Sequence, residues 1–208
     1  MKQGTLYIIS APSGTGKSTL IKKIIQKKST LYNITHSISY TTRNIRPTET
    51  NGIHYHFITI KKFKKMISKN IFYEYAKIFG HYYGTSKKKI HPILQLGIDI
   101  ILDINWQGAK QIKKKIPNVI SIFLLPPSMQ ELKKRLYKRA EDSENNISKR
   151  IETAKNEIQH YKKYDYIIIN DNENTALLHL QSIIISEKLR YIHQKPCLKQ
   201  WHENLFNN

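Results

Sequence analysis

The chain has 208 residues, of which 39% are hydrophobic, and it carries a formal net charge of +20 at pH 7. This length suits one globular domain with inserts or two small domains. The single cysteine, Cys197, excludes an internal disulfide, and no apolar run approaches the roughly 18 residues that a membrane span needs. Because the N-terminus also lacks a signal-peptide pattern, we expect a cytoplasmic protein with no membrane partner.

The positive charge admits two interpretations. A basic protein of this kind suits nucleic acid or another polyanionic partner, at least through weak, nonspecific binding. However, the chain is rich in Lys, Ile and Asn, whose codons are A/T-rich, and many lysines lie in helix-like stretches such as residues 61–65, 87–89 and 113–115. A solvated basic surface therefore explains the charge without any specific nucleic-acid partner.

A glycine-containing turn near the N-terminus separates an apolar run from a helical pattern. The turn consists of Ala11, Pro12, Ser13, Gly14, Thr15, Gly16, Lys17 and Ser18. It matches the phosphate-loop pattern G-x-x-x-x-G-K-[ST], with Ala11 in place of the first glycine. In such a loop, backbone N–H groups and a helix N-terminus hold a triphosphate, while Lys17 reaches its β- and γ-phosphates. The loop thus predicts a nucleoside triphosphate site with Mg²⁺ on the Ser18 hydroxyl.

Apolar, β-branched runs predict four parallel strands that are buried on both faces. They cover residues 5–10, 98–104, 119–125 and 166–169. Helical patterns lie between or after them, at residues 17–27, 88–96, 107–114, 129–139, 147–163 and 175–193. This alternation predicts an α/β fold with a doubly wound parallel sheet, in which ligands bind beyond the carboxyl ends of the strands. The phosphate loop and residues 103–105 should therefore lie at one edge.

Two segments interrupt the alternation of strands and helices. Residues 39–83 are rich in Tyr, Thr, His and Phe with period-two stretches, which predicts a small, mainly β insert. Residues 128–150 predict a cationic helical hairpin, either a mobile lid over the phosphate site or an ordinary solvated hairpin. The core would then comprise residues 1–38, 84–127 and 151–208.

The predicted insert carries a second candidate anion site. Arg43 and Arg46 lie three residues apart beside Ser, Thr and Tyr hydroxyl groups, and guanidinium groups match phosphate in bidentate geometry. Two anion sites, one of them a triphosphate loop, predict phosphoryl transfer between two phosphorylated substrates.

The sequence resembles bacterial-type guanylate kinases over nearly the whole chain. The motifs that carry the resemblance lie at residues 4–14, 41–43, 79–86, 102–109, 122–128 and 165–171. The resemblance implies a P-loop NTPase-type fold with a nucleoside monophosphate-binding insert and a helical lid. It also implies Mg²⁺-dependent transfer of the γ-phosphoryl group of ATP to GMP, and to dGMP, which yields GDP and ADP in purine nucleotide metabolism.

The same resemblance implies roles for individual residues. Eight of them, the residues of the phosphate loop, would bind ATP. Those that would bind GMP are Ser39, Arg43, Arg46, Glu49, Tyr55, Glu74, Tyr83, Thr85, Asp103 and Asn105. The catalytic residues would be Lys17, Arg43, Arg135, Arg139 and Arg150. Glu74 and Thr85 would recognise guanine, since a carboxylate can accept both the N1–H and N2–H of guanine but finds no N1–H on adenine.

Two residues depart from the guanylate kinase pattern. Asn105 occupies the place of the second Asp of an Asp-x-Asp motif, and Ala140 replaces a Gly.

Three alternative functions are a nucleoside monophosphate kinase for another base, a kinase-like module that only binds a protein, and a nucleic-acid-binding protein. Glu74 and Thr85 oppose the first, and the intact Lys17 opposes the second.

Overall fold

The computed structural model describes residues 3–27, 29–138 and 144–206. In chain order, its elements are β1 (Leu6–Ser10), α1 (Lys17–Gln26), β2 (Ile34–His36), β3 (Tyr40–Thr41), β4 (His56–Phe57), α2 (Ile60–Ser68), β5 (Phe72–Ile78), β6 (His81–Ser86), α3 (Lys87–Gln95), β7 (Asp99–Asp103), α4 (Trp106–Lys115), β8 (Ile120–Leu125), α5 (Met129–Lys138), α6 (Glu144–Ile158), a 3-10 helix (Tyr161–Lys163), β9 (Tyr166–Ile169), α7 (Glu173–Leu189) and α8 (Tyr191–Phe206).

A parallel sheet of five strands, in the order β2-β7-β1-β8-β9, forms the centre of the fold. The four predicted strands and the doubly wound α/β architecture are confirmed. The edge strand β2 was not predicted, because three residues at an edge are too few to produce a recognisable apolar run.

Alternate residues of the central strand β1 face two separate helical layers. Tyr7 and Ile9 pack with α1 and α7, whereas Leu6 and Ile8 pack with α3 and α4. All five residues of β1 are buried. This explains the continuous apolar run in the sequence, since a strand covered on both faces has no solvent-facing side to carry polar residues.

The insert forms a second sheet, in the order β4-β3-β6-β5. The mainly β insert also contains α2, which includes the lysine-rich, helix-like stretch at residues 61–65. The Thr59 side chain caps this helix, and its buried Phe63 stacks on the rings of Phe72 and Tyr82. Strand β6 continues to Ser86, three residues past the predicted end of the insert.

Helices α5 and α6 pack against each other in the region predicted as a helical hairpin. Their contact buries Leu132, Leu136, Ile147 and Ala154. Helix α6 runs to Ile158, and residues 139–143, which include Ala140, lie outside the described part of the chain.

The C-terminal helical pattern contains two helices instead of the single helix predicted over residues 175–193. Arg190 adopts an extended conformation between α7 and α8, with φ −61° and ψ 138°, and this ends α7 at Leu189. In the described ranges, no helix has both the length and the apolar character that a membrane crossing requires.

A buried carboxylate attaches α7 to the amino end of the central sheet. Asp99 is 1% exposed, accepts the backbone N–H of Thr5 at 2.9 Å, and pairs with Lys188 Nζ at 2.7 Å. Because the Asp99 carboxylate is removed from water, the ion pair from α7 is needed to compensate its charge.

We expect Lys188→Ala to lower the free energy of unfolding by about 3 kcal/mol, since it leaves the buried Asp99 carboxylate without its cation. Urea denaturation followed by intrinsic fluorescence would measure the change. Lys199→Ala is the matched control, because the Lys199 side chain in α8 is 80% exposed. Equal stability of the two variants would contradict a structural role for the Asp99–Lys188 pair.

Candidate active site

The phosphate loop, residues 11–18, connects the end of β1 to the first turn of α1. Gly14 and Gly16 have φ values of 89° and 96°, a region that favours glycine. A Cβ on Gly16 would also lie 2.6 Å from the Asn170 side-chain nitrogen. Gly16 caps α1 without a side-chain hydrogen bond, so the N–H groups of the first turn can face an anion.

The remaining loop residues support this turn. Ala11 packs against the hydrophobic core, and the carbonyl of the buried Pro12 accepts the N–H of Thr15 at 3.3 Å. Ser13 is half-buried, while Ser18 is exposed on the first turn of α1. The loop therefore has accessible hydroxyl groups at Ser13 and Ser18 on a scaffold that Pro12 and Thr15 bury.

Lys17 forms an ion pair with Asp103, which ends the neighbouring strand β7. The parallel register places Asp103 beside Ile9 of β1, so the two side chains meet at the carboxyl edge of the sheet. Tyr55 of the insert lies near the same carboxylate. Burial raises the pKa of the Tyr55 hydroxyl well above its ordinary value, and the negative charge of Asp103 adds to this shift. The insert and the core therefore face each other across Asp103.

Two of the predicted lid arginines contact the phosphate loop or its surroundings. Arg135 of α5 donates to the Asn170 carbonyl at 3.0 Å and, at 3.5 Å, to the carbonyl of Thr15. Arg150 of α6 lies 3.4 Å from Ser13 Oγ. Arg139, the third, lies outside the described residues. The arrangement places guanidinium groups from two helices next to the loop.

Arg43 is fixed in the insert by a bidentate pair with Glu49, at 3.0 and 2.7 Å. Glu49 also accepts the Arg46 backbone N–H at 2.9 Å. The hydrogen bonds to Glu49 raise the pKa of Arg43 above its ordinary value. Burial alone would raise the pKa of Glu49, but the hydrogen bonds from Arg43 and Arg46 lower it below its usual range. Arg43 is thus a permanent, oriented cation.

Aromatic residues surround this cation. The Arg43 guanidinium lies 5.7 Å from the centre of the Tyr55 ring and 5.6 Å from that of Phe57. The Tyr83 ring lies edge-on to that of Tyr55 at 5.9 Å. The structure therefore brings together five of the residues predicted for the monophosphate site: Arg43, Arg46, Glu49, Tyr55 and Tyr83.

A second group of predicted residues is buried at the base of the insert. Thr85 Oγ1 donates to Glu74 Oε1 at 2.6 Å, and Ser39 Oγ lies 3.4 Å from Thr85 Oγ1. Glu74 is only 3% exposed. A β-bulge at Tyr73 shifts the register so that Glu74, and not Tyr73, is opposite Thr85. The bulge thus aims the carboxylate at its hydroxyl partner.

The environment of Glu74 opposes its charge. Burial raises its pKa to about 7, and this exceeds the opposing effects of the hydrogen bonds from Thr85 and the charge of Lys115. The carboxyl group is therefore divided between its protonated and ionised forms at neutral pH, and a ligand that donates two N–H groups would favour the ionised form.

Comparison with known proteins gives a consistent result. Residues 3–187 match the family model described as guanylate kinase. The chain is 59% identical over 193 residues to the guanylate kinase of Blochmanniella pennsylvanica, covering 92% of this chain and 91% of the relative. It is 52% identical to that of Escherichia coli K12 over 195 residues, or 94% of each chain. The crystal structure of guanylate kinase from Anaplasma phagocytophilum superimposes with a TM-score of 0.73 at 30% identity, covering 91% and 89% of the chains.

The chain belongs to the guanylate kinase family. Its activity is phosphoryl transfer to GMP, which gives GDP. This outcome confirms the function inferred from the sequence motifs. It argues against the alternative of a nucleic-acid-binding protein, which only the positive charge had suggested.

One residue that departs from the guanylate kinase pattern has a structural role here. Asn105 is the N-cap of α4, and its Oδ1 accepts the N–H of Gly108 at 3.0 Å. Its amide nitrogen contacts the Gln107 side chain. An Asp would serve the cap equally well, so the replacement preserves the start of α4 while it removes one negative charge.

Sequence reasoning missed two residues that lie close to the phosphate loop. Asn170 is 5% exposed and donates from its side chain to the Thr15 carbonyl at 2.6 Å. Its place directly after a predicted strand was an available signal. Glu157 of α6 has a pKa raised to about 7 by burial, an effect that the charge of Lys17 partly offsets. No sequence pattern would have placed a residue of α6 beside Lys17.

The cap assigned to Asn105 predicts different effects for two substitutions. Asn105→Ala should lower the free energy of unfolding by about 1 kcal/mol, whereas Asn105→Asp should leave it nearly unchanged. Urea denaturation of both variants at pH 7.5 would test this. If Asn105→Asp lowered the free energy of unfolding as much as Asn105→Ala, or if Asn105→Ala did not lower it, the hydrogen bond to Gly108 would not stabilise α4.

Proposed function

We propose that ATP is the phosphoryl donor, that Mg²⁺ accompanies it, and that the two nucleotides bind end to end in one cleft. The observation that carries this proposal is that two cationic sites meet at Asp103. Lys17 of the phosphate loop pairs with the Asp103 carboxylate, and Tyr55, whose ring lies beside the Arg43 guanidinium, is close to the same carboxylate. A donor triphosphate and an acceptor phosphate bound at these sites would have their reacting groups adjacent.

In the proposed reaction, a phosphate oxygen of GMP forms a bond to the γ-phosphorus of ATP. The bond from that phosphorus to the β–γ bridging oxygen breaks, and ADP leaves. Because the acceptor is already an anion, no strong general base is needed. Positioning and neutralisation of charge would then provide most of the rate acceleration.

We assign the ATP end of the cleft to the phosphate loop and to the lid. The eight loop residues, 11–18, would hold the phosphates through backbone N–H groups, with Lys17 as a point charge. Arg135, Arg139 and Arg150 would neutralise the charge of the transferred group when the lid, residues 128–150, closes on the core. The contacts of Arg135 and Arg150 at the loop support this assignment.

The residues near Lys17 fit a magnesium ion that is held mainly by phosphate oxygens. Ser18 is exposed on the first turn of α1, and the Asp103 carboxylate lies at the neighbouring strand end. Within the described residues, no group of three His, Cys, Asp or Glu side chains could hold a metal without help. Mg²⁺ commonly combines one or two protein oxygens with water and substrate phosphates, and it would neutralise charge on the phosphates.

We assign the GMP end to the insert, residues 39–83. The phosphate would bind near Arg43, Arg46, Tyr55 and Tyr83, with Glu49 orienting the Arg43 guanidinium. The base would bind near Ser39, Glu74 and Thr85, and Asp103 and Asn105 would border the acceptor at the core. The buried position of Glu74 supports its role, since a buried acceptor strongly penalises a base that leaves it unpaired.

We also infer a cytoplasmic location and no specific nucleic-acid partner. A chain with one cysteine forms no internal disulfide, as is usual in reducing compartments.

The first test concerns Lys17. Lys17→Ala should lower kcat for GMP phosphorylation by at least about 100-fold, because the β- and γ-phosphates lose their lysine. Its circular dichroism spectrum should stay unchanged. The control is Lys22→Ala, which changes an exposed lysine of the same helix and should retain normal turnover. Near-normal kcat in Lys17→Ala would disprove the proposed ATP site.

The second test concerns Glu74. In the unsubstituted protein, KM for GMP should rise roughly fivefold between pH 7 and pH 6, because protonation removes the ionised acceptor. Glu74→Gln should raise KM for GMP at pH 8, reduce selectivity for GMP over AMP, and lose the contribution of Glu74 to this pH dependence. Initial rates with both monophosphates across pH 6–8 would measure these effects.

Stability provides the control for this variant. A folded-state pKa raised from 4.5 to about 7 means that the fold loses stability as pH rises through that interval. Glu74→Gln should therefore increase the free energy of unfolding at pH 8, by roughly 3 kcal/mol. A stable variant with unchanged selectivity would refute the guanine contact.

A further inference from the structure

Helix α4 covers the open edge of strand β5 beside Glu74. Among the residues that the structure describes, β5 is the last strand of its sheet and pairs with β6 alone. At an open edge, outward-pointing backbone groups need other partners. Here the Gln111 side chain supplies both an acceptor and a donor. Its Oε1 accepts the Tyr75 N–H at 3.2 Å, and its Nε2 donates to the Tyr75 carbonyl at 2.8 Å. The amide thus replaces the next strand at this position.

Two neighbours of Gln111 on α4 extend this contact. Positions 108, 111 and 115 are spaced three and four residues apart, so they lie on one side of the helix. Lys115 Nζ donates to the Tyr73 carbonyl. The backbone on both sides of Glu74 is therefore bonded to a single helix of the core.

Gly108 completes the contact by leaving room for the carboxylate. A Cβ at position 108 would lie 2.5 Å from Glu74 Oε2 and 3.0 Å from Cδ. The other oxygen, Oε1, accepts the Thr85 hydroxyl. The Glu74 carboxylate is thus held between a hydroxyl of the insert and the backbone of α4, and the Asn105 cap begins the turn that supplies this backbone.

We propose that Gln111 is a positioning residue for guanine selection. Its two hydrogen bonds to Tyr75 fix the distance between the Glu74 carboxylate and Gly108 and so align the carboxylate with the base. This inference rests on the proposed guanine contact of Glu74. Gln111 itself touches no reacting group. Its effect should appear in binding and selectivity for the acceptor and should be absent from the ATP end of the cleft.

The test is Gln111→Met, which keeps the length of the side chain and removes both hydrogen bonds to Tyr75, together with a longer one, at 3.4 Å, to the Gln107 carbonyl of the same helix. GMP and IMP are the probes, since IMP retains the N1–H of GMP but lacks its 2-amino group. We expect KM for GMP to rise roughly tenfold, because a misplaced Glu74 carboxylate would lose about one hydrogen bond from guanine, and bonds to a charged group are worth at least this factor. The ratio of kcat/KM for GMP over IMP should fall, while kcat at saturating GMP and KM for ATP should change less than about twofold.

Lys114→Ala is the matched control, because it changes an exposed residue of the same helix. It should leave all these values unaltered. If Gln111→Met keeps its KM for GMP and its GMP/IMP ratio, or if it loses activity equally at the GMP and ATP ends, the positioning role is wrong.

Gly108→Ala provides a second route that removes no hydrogen-bonding group from the protein. Alanine favours the helix, so the fold should persist, but its Cβ must displace the carboxylate. We again expect a higher KM for GMP and a lower GMP/IMP ratio, and an unchanged ratio would count against the proposal.

Glu74→Gln distinguishes the proposed guanine contact of Glu74 from the proposed positioning role of Gln111. If it reduces selectivity while both Gln111→Met and Gly108→Ala retain it, Glu74 contacts the base but α4 does not position it. If all three variants retain selectivity, the proposed guanine site itself is wrong.

Discussion

The position of the phosphate loop beside Asp103 depends on the parallel pairing of β1 with β7 on one side and β8 on the other. Every residue of β1 is buried, with side chains directed alternately into two helical layers. A shift of one residue would exchange the two sets of side chains, so packing fixes the register. That register brings the phosphate loop and Asp103 to one edge, and the Lys17–Asp103 contact follows from it.

The phosphate loop is shaped by protein contacts as well as by its expected ligand. A Cβ on Gly14 would lie 2.9 Å from Leu136 of α5, so the glycine also permits this helix to pack closely. Asn170, which follows β9, bonds the Thr15 carbonyl, and Arg150 reaches Ser13 from α6. Elements from the second half of the chain therefore surround a loop that the first half forms. Movement of α5 and α6 would directly change the surroundings of a bound triphosphate.

In the proposed guanine contact, Glu74 balances the stability of the free protein against recognition of the base. Its burial is unfavourable in the free protein, as the raised pKa indicates, and the Thr85 hydroxyl only partly compensates. Two N–H donors from guanine would complete the hydrogen bonding of the carboxylate, whereas a base without them would leave it unpaired. A solvated glutamate would discriminate less, because water would replace the missing donors. The β-bulge places this buried group opposite Thr85, and α4 bonds to the neighbouring backbone at Tyr75.

The sequence alone determined the parts of this protein that rest on local patterns. Continuous apolar runs predicted the four principal strands, and the spacing of Gly14, Gly16, Lys17 and Ser18 predicted the loop after β1. The arginines of the insert indicated a second anion site. Short or irregular elements escaped prediction: β2 has three residues, and the break at Arg190 carries no glycine or proline.

Only the tertiary structure decided which distant residues meet. It placed Glu157 near Lys17, opposed Glu74 to Thr85 through a bulge, and joined Gln111 to the backbone of Tyr75. Each of these contacts joins separate elements, and each arises because buried polar groups must find partners wherever packing has brought the chain together. Local sequence patterns encode which residues form a strand or a helix, but such pairings depend on the register and packing of whole elements.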